Sequence, residues 1–276
     1  MLGSLVFVGG LSVEAARDII GIDGVSLGTE LDRIGYAGAR PCPIVIPHAY
    51  VELHIEQGPV LEAEGTTIGV VTGVQGISWQ EFAIDGQSNH AGTTPMSMRH
   101  DAAYAAARIA TFVRELALEF GGDQVATVGQ LELHPNLVNV VADRATLTVD
   151  LRNTDNTALV RAERALASFV DQVATDEGVV VSSRTLARFE PVSFYPRVID
   201  MVETNALQLG YSTRRMPSGA GHDAQMLARL CPAAMIFVPS HNGLSHNVAE
   251  HTDRNDLEAG LNVLMHVVMQ LAEESR

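Results

Sequence analysis

The sequence predicts an α/β fold in which one α/β domain is interrupted by an inserted β-α-β-β-α-β unit. Three observations lead there. Between about residues 74 and 190, apolar positions switch between a period of two and a period of 3.6, in the order strand, helix, strand, strand, helix, strand. On both sides of that stretch the texture is mixed α/β. At 276 residues and 46% apolar content, the chain is long enough to bury either one large core or two ordinary ones.

The elements follow in order. "MLGSLVFVGGLSVEAA" has no basic residue before Arg17, so it lacks the charged leader of a secretory signal and reads as a loop followed by a helix capped by Ser12. "SVEAARDIIG" and "SLGTELDRIGYAG" each open on a serine and close near a glycine, as short helices do. The proline-rich "ARPCPIVIPHAY" leads into "VELHIEQGP", Val51 to Pro59. Its alternation is that of a strand with Glu52, His54 and Glu56 on one face and Val51, Leu53 and Ile55 on the other. Gly58-Pro59 ends it.

The insertion opens with the strand "GISWQEFAIDGQ" and an alanine-rich helix, "PMSMRHDAAYAAARIATFVRELALEF", with Pro95 near its first turn. "VATVGQLELHP" and "VNVVADRATLTVDLRN" read as strands joined by turns. In the second, Val138, Val140, Leu147, Val149 and Leu151 form one face of a hairpin, with Asn139, Asp150 and Arg152 on the other. The helix "TALVRAERALASFVDQVATDEG" and the strand "VVVSSRTLARFEP" complete a ferredoxin-like split βαβ unit. A helix near Val198–Leu209 follows, then the glycine-rich "MPSGAGHDAQ" opening another helix, a buried strand in "AAMIFVP" and a last helix from Asp256 to Glu273. Residues 1–73 and 191–276 are therefore expected to form one domain, with 74–190 inserted in it.

Lys+Arg 18 against Asp+Glu 33 gives a formal charge of −15, which argues against nucleic-acid or anionic-membrane partners. No apolar run reaches the ~18 residues that span a bilayer. Cys42 and Cys231 offer no disulfide framework and fit a reducing compartment, the cytoplasm.

Four groups of residues carry chemistry. His54 stands between two glutamates at the end of an otherwise core-like strand, although a single strand histidine is most often structural. "PSHNGLSHNVAEHTD" places His241, His246 and His251 in a loop after an apolar strand, where α/β proteins build sites. "DGQSNHAGTTPM" holds His90 among turn residues. In "SGAGHDAQ", glycines that let backbone N–H groups approach a ligand precede a helix start. Arg152 is either a solvated face residue or a fork for a carboxylate.

"LHIEQGP", "HAGTTPM", "PNLVNVVADRATLTVDLR", "SGAGHDA" and "GLSHNVAEHT", in that order, resemble the zinc-dependent amidohydrolases of the peptidase M20 superfamily. The branch is that of N-carbamoyl-L-amino acid hydrolase, β-ureidopropionase and allantoate amidohydrolase, and the likeness covers nearly the whole chain. It implies a catalytic α/β domain holding two metal ions, Zn²⁺ or Mn²⁺ or else Co²⁺, and an inserted ferredoxin-like domain that forms a homodimer. It implies that His54 and His246 ligate one metal each. Gln57, Asn139, Arg152, Gly219 and Gly221 would bind substrate, with Arg152 on its carboxylate. His90 and His222 would hydrogen-bond the tetrahedral oxyanion as catalytic residues. The reaction implied is hydrolysis of a non-peptide C–N bond in an N-carbamoyl amino acid or allantoate by metal-activated water, with a glutamate as general base.

Relatives of this kind begin with a segment carrying a further histidine, a bridging aspartate and a Glu-Glu pair, none of which is found here. The resemblance thus implies an incomplete catalytic domain whose isolated polypeptide is weakly active or inactive. Glu52 and Glu56, as i±2 neighbours of His54, are expected to point in parallel rather than converge on one ion, with Glu56 orienting a ligand. Two alternatives stay open: an aminoacylase- or dipeptidase-like M20 hydrolase, and a non-catalytic dimerisation or binding fragment.

Overall fold

A computed structural model describes all residues except Pro41, Ile44, Ser275 and Arg276. The chain divides into two compact units, Met1–Val74 with Val192–Arg276, and Gln75–Pro191.

The first unit begins with three short helices, α1 (Leu2–Phe7), α2 (Val13–Arg17) and α3 (Leu27–Arg33). Ser12 and Ser26 cap α2 and α3 as expected, their hydroxyls accepting from Ala15 and Thr29 N–H. Residues 2–7, expected as loop, are the helix α1 instead: an apolar hexapeptide whose Leu5 and Phe7 pack against the cluster of Met226, Leu227 and Cys231. Then come β1 (Tyr50–Ile55), α4 (Val60–Glu64) and β2 (Ile68–Val74). The second unit holds β3 (Gly76–Asp85), β4 (Asn89–His90), α5 (Ala102–Phe120), β5 (Val125–His134), β6 (Val140–Val141), β7 (Arg144–Asn153), α6 (Asn156–Glu177) and β8 (Val180–Phe189). The chain returns to the first unit with β9 (Val192–Ser193), α7 (Pro196–Gln208), β10 (Thr213–Ser218), α8 (Asp223–Leu227), β11 (Ala233–Val238) and α9 (Arg254–Glu274).

In the first unit the sheet order is β1-β11-β2-β10, with β9 on β2. β1 pairs parallel with β11, and β10 parallel with β2, while β2 and β11 are antiparallel. β11 is buried at all six positions, as its unbroken apolar run requires. The core joins Val70, Ile236 and Val238 to Val202 of α7 and Val263 and Val267 of α9.

The second unit has sheet order β5-β7-β3-β8, all antiparallel. Its two long helices pack on the sheet through residues spaced three and four apart. In α6 these are Leu159, Ala162, Leu166, Val170 and Val173. Phe112 of α5 stacks on Phe169 of α6 with centroids 4.0 Å apart.

Two expected details differ. Pro95 does not lie in the first turn of α5, which starts at Ala102, where Asp101 accepts from Ala103 and Tyr104 N–H. Pro95 instead precedes a separate 3₁₀ turn, Met96–Met98. Nor do residues 138–151 form a hairpin. Both edges of β7 are taken by the ten-residue strands β5 and β3, so β6 pairs with β4 in a sheet of its own. Val138 is left fully exposed.

Candidate active site

β1 and β11 run in register, with His54 opposite Phe237. On one face of this pair, Leu53 and Val238 pack on α9. A Cβ at Gly260 would stand 2.6 Å from Val238 and 2.7 Å from Leu53. The other face carries Glu52, His54 and Phe237, and α8 brings His222 to it. The rings of His54 and His222 meet edge-on at 4.6 Å, and Phe237 lies 5.7 Å from His222.

Glu52 is the hub of this cluster. One carboxylate oxygen accepts from Ala224 N–H at 2.8 Å and from the Tyr50 hydroxyl at 3.3 Å. The other lies 3.5 Å from His222 Nδ1. Burial pushes the Glu52 carboxyl up. The His222 and Ala224 hydrogen bonds and the His222 and His54 charges outweigh it, holding the group below its ordinary value. Burial, with the Glu52 and Asp223 charges, pushes the Tyr50 phenol up to about 12.

The imidazoles are held by their outer nitrogens. His54 Nδ1–H donates to the Ile55 carbonyl at 2.8 Å, which leaves Nε2 as a lone pair. His222 Nε2 lies 2.8 Å from the buried Ser218 hydroxyl, so Nδ1 is the atom turned toward Glu52. One ligand atom each from Glu52, His54 and His222 falls within 4.8 Å of the others, and together they can hold a metal ion. Among the described residues this is the one such group of three or more. A carboxylate and imidazoles suit borderline divalent metals, and three protein ligands with an open position is the set a catalytic zinc takes. Glu52 and His54 thus converge after all, because α8 supplies a third group from above the strand. Glu56, by contrast, orients no ligand: its carboxylate accepts from Val60 and Leu61 N–H and caps α4.

A second point in favour of a ligand is Gln225 on α8. It is 1% exposed, and its Oε1 has no partner. The same oxygen lies 3.6 Å from where a Cβ on Gly221 would stand, in the loop that also holds Gly219.

His246 follows β11 and comes to Gln57, which follows β1. Gln57 Nε2 donates to Ser245 Oγ at 2.7 Å and lies 3.4 Å from His246 Nε2. Both residues have left-handed backbone, φ 58 and φ 54, a conformation held at a cost that concentrates at functional sites. The buried Ser240 hydroxyl accepts from Gln57 N–H, and Glu250 accepts from His246 N–H.

In the second unit, His90 pairs with Val140 across β4 and β6, and Ala91 N–H donates to the Asn139 carbonyl. His90 and Asn139 are therefore neighbours. Gly92 N–H donates to His90 Nδ1, and Arg99 donates to the Ala91 and Thr94 carbonyls, fixing the loop. Arg152, on β7, is engaged by Asp150 through Nε and Nη2 at 2.6 to 3.0 Å. Sequence reasoning missed the parts played by Ser218, Ser240, Gln225 and Arg99, although Ser218 and Gln225 lie within "SGAGHDAQ" and Ser240 within "PSHNGLSHNVAEHTD".

The Glu52 shift gives a testable sign. A carboxyl held low in the fold adds stability above the ordinary carboxylate range, and that stability is lost as pH falls through the folded value. The stability difference between the unsubstituted chain and Glu52→Gln is expected to shrink between about pH 7 and about pH 3. Urea unfolding of both proteins at each pH measures it, and a difference that stays constant refutes the assignment.

The chain is similar to N-carbamoyl-L-amino-acid amidohydrolase of Rhizobium meliloti, 41% identical over 273 residues, which cover 99% of this chain and 66% of that protein. It is 40% identical to allantoate amidohydrolase of Escherichia coli (strain K12) over 224 residues, 81% of this chain and 54% of the relative. The crystal structure of an amidase of the hydantoinase/carbamoylase family from Burkholderia multivorans superposes with a TM-score of 0.93 at 42% identity, covering 98% of this chain and 66% of that one. The chain therefore spans about two thirds of the length of these fuller matches. The profile of Peptidase family M20/M25/M40 matches residues 36–270. With most of its length matched by that profile, the chain belongs to peptidase family M20/M25/M40.

Proposed function

We propose that the chain supplies metal-binding and substrate-holding parts of a metal-dependent hydrolase of non-peptide C–N bonds, acting on N-carbamoyl-L-amino acids or allantoate. The observation that carries this reading is the convergence of Glu52, His54 and His222 to within 4.8 Å. The names of the similar proteins supply the substrate class.

His54, whose Nε2 is open, would ligate one ion, and His246 beside Gln57 a second. The ions are Zn²⁺, Mn²⁺ or Co²⁺, as the donor set favours. When bound, such ions lower the pKa of water and polarise a carbonyl. Glu52 at Nδ1 and the Ser218 hydroxyl at Nε2 would set the His222 ring beside His54, from where the imidazole would hydrogen-bond the oxyanion. Within the inserted unit, His90 would serve as an oxyanion donor, and Arg152, oriented by Asp150, would take a substrate carboxylate with Asn139. Gln57, Gly219 and Gly221 would line the substrate. The inserted unit would join two copies: Trp79, on the sheet face opposite to Leu147, is exposed and apolar, which suits an interface. The free thiols of Cys42 and Cys231 suit the cytoplasm. Among the described residues no helix is long and apolar enough to cross a membrane.

Binding and turnover separate under this reading. The purified chain with Zn²⁺ or Mn²⁺ is expected to bind an N-carbamoyl-L-amino acid or allantoate at least about tenfold more tightly than Arg152→Ala does. Ammonia release should stay near that of a metal-free control, because the one cluster of three or more potential ligands among the described residues contains His54 but not His246. Calorimetry and an ammonia assay read the two quantities. Equal binding of N-acetyl and N-carbamoyl amino acids favours the aminoacylase-like reading, and binding indifferent to Arg152→Ala sinks the clamp.

A further inference from the structure

The loop after β11 holds a second histidine cluster, apart from Glu52, His54 and His222. His241 N–H donates to the His251 carbonyl at 2.9 Å, and the Thr252 hydroxyl donates to the Pro239 carbonyl at 2.9 Å. The two ends of the loop are thereby tied into a neck. Gly243 keeps φ +64 there, and a Cβ on it would stand 2.8 Å from Pro59 N, so the loop is seated on the Gly58-Pro59 turn.

Each side of the neck carries an imidazole whose one nitrogen is taken by a carboxylate. His241 Nδ1 lies 3.0 Å from Glu62 Oε1, and Glu62 Oε2 accepts from Asn242 N–H. His251 Nε2 lies 3.2 Å from Asp253 Oδ1. A carboxylate acceptor fixes the proton on the nitrogen it faces, which leaves His241 Nε2 and His251 Nδ1 as lone pairs. This carboxylate-oriented imidazole is the arrangement that metal-ligating histidines adopt. The two ring centroids are 6.3 Å apart. Two imidazoles on one tetrahedral ion at ~2.0–2.1 Å per bond have centroids about 5 Å apart. Rotation of two exposed side chains closes a gap of about an ångström. Beside them opens a cavity of about 230 Å³ lined by Glu62, His241, Asp253 and Asp256, so anionic groups face the same space.

We infer that His241 and His251 form a binding site for one borderline divalent cation such as Zn²⁺, Co²⁺ or Ni²⁺. Two imidazoles select such ions over Ca²⁺ and Mg²⁺. Because His246 lies within the loop that this neck closes, the ion fixes that loop from outside the proposed catalytic cluster. The inference does not depend on the hydrolase reading.

The test is a Zn²⁺ titration of two proteins by calorimetry. In His54→Ala/His246→Ala, one Zn²⁺ is expected still to bind. Adding His241→Ala and His251→Ala should weaken that binding by at least tenfold, and Glu62→Gln in its place by about tenfold. Unchanged stoichiometry and affinity without His241 and His251 overturns the site. A readout on the unsubstituted chain guards against misfolded variants. Saturating Zn²⁺ should slow diethyl pyrocarbonate modification of His241 and His251, located by peptide mass. Full modification of both at saturating Zn²⁺ likewise overturns it.

Discussion

Replacing His54 by alanine is expected to weaken Zn²⁺ binding at the Glu52–His54–His222 cluster by more than about a hundredfold. Loss of a residue that merely orients a ligand weakens metal sites by about 10–100-fold, and loss of a ligand should exceed that. His54 is the imidazole of the cluster whose Nε2 is uncommitted, since its Nδ1 is spent on the Ile55 carbonyl. Alanine also leaves Glu52 facing His222 with no third group. His222→Ala distinguishes the two imidazoles. If His222 is the oxyanion donor, that variant should keep most of its Zn²⁺ affinity while substrate binding falls. A competition titration against a chromophoric chelator measures both variants. Equal loss in the two would make His222 a ligand, and no loss in His54→Ala would remove the metal site altogether.

The second large effect is on stability. Leu147→Ala should destabilise the second unit by about 2–5 kcal/mol, the range for truncating a buried leucine in a core that cannot collapse around the cavity. Leu147 is 0% exposed on β7, which is flanked on both edges, opposite Leu131 of β5 and Phe82 of β3. The helices α5 and α6 cover the same sheet, so no neighbour is free to move in. Denaturant unfolding followed by circular dichroism reads the change. A loss under about 1 kcal/mol would mean that the packing is looser than described.

Much of the fold was legible because period and punctuation agree along the chain. Ser12 and Ser26 mark helix starts, and the two strand-helix-strand passages of the second unit follow their apolar spacing. What escaped was set by partners distant in sequence. Val140 looked like a hairpin partner of β7 by alternation, yet β7 already has a ten-residue neighbour on each edge. β2, with glycines at 69 and 73, lacks side chains where neighbours crowd it, so it carries no clear alternation. The candidate site divides in the same way. His54, Gln57, His222 and His246 were recognisable by motif, and the structure puts His222 against His54 and His246 against Gln57. The part played by Glu52 was not recognisable, because strand geometry alone aims it parallel to His54. Only α8, donating Ala224 N–H to it from far along the chain, holds it beside His54 and His222.

The chain leaves the first unit at Val74 and re-enters at Val192, and these two residues are paired between β2 and β9. The middle segment is continuous and its sheet strands pair with one another, whereas β1 must await β11, across a still longer stretch of chain, before its ladder can form. Ring closure over so many residues is slow, while nearer pairings are fast. Assembly should therefore run from the inside outward, with the ferredoxin-like body maturing while the flanking sheet is still open. Synthesis on the ribosome reinforces that sequence of events, because β11 emerges after every strand of the inserted unit.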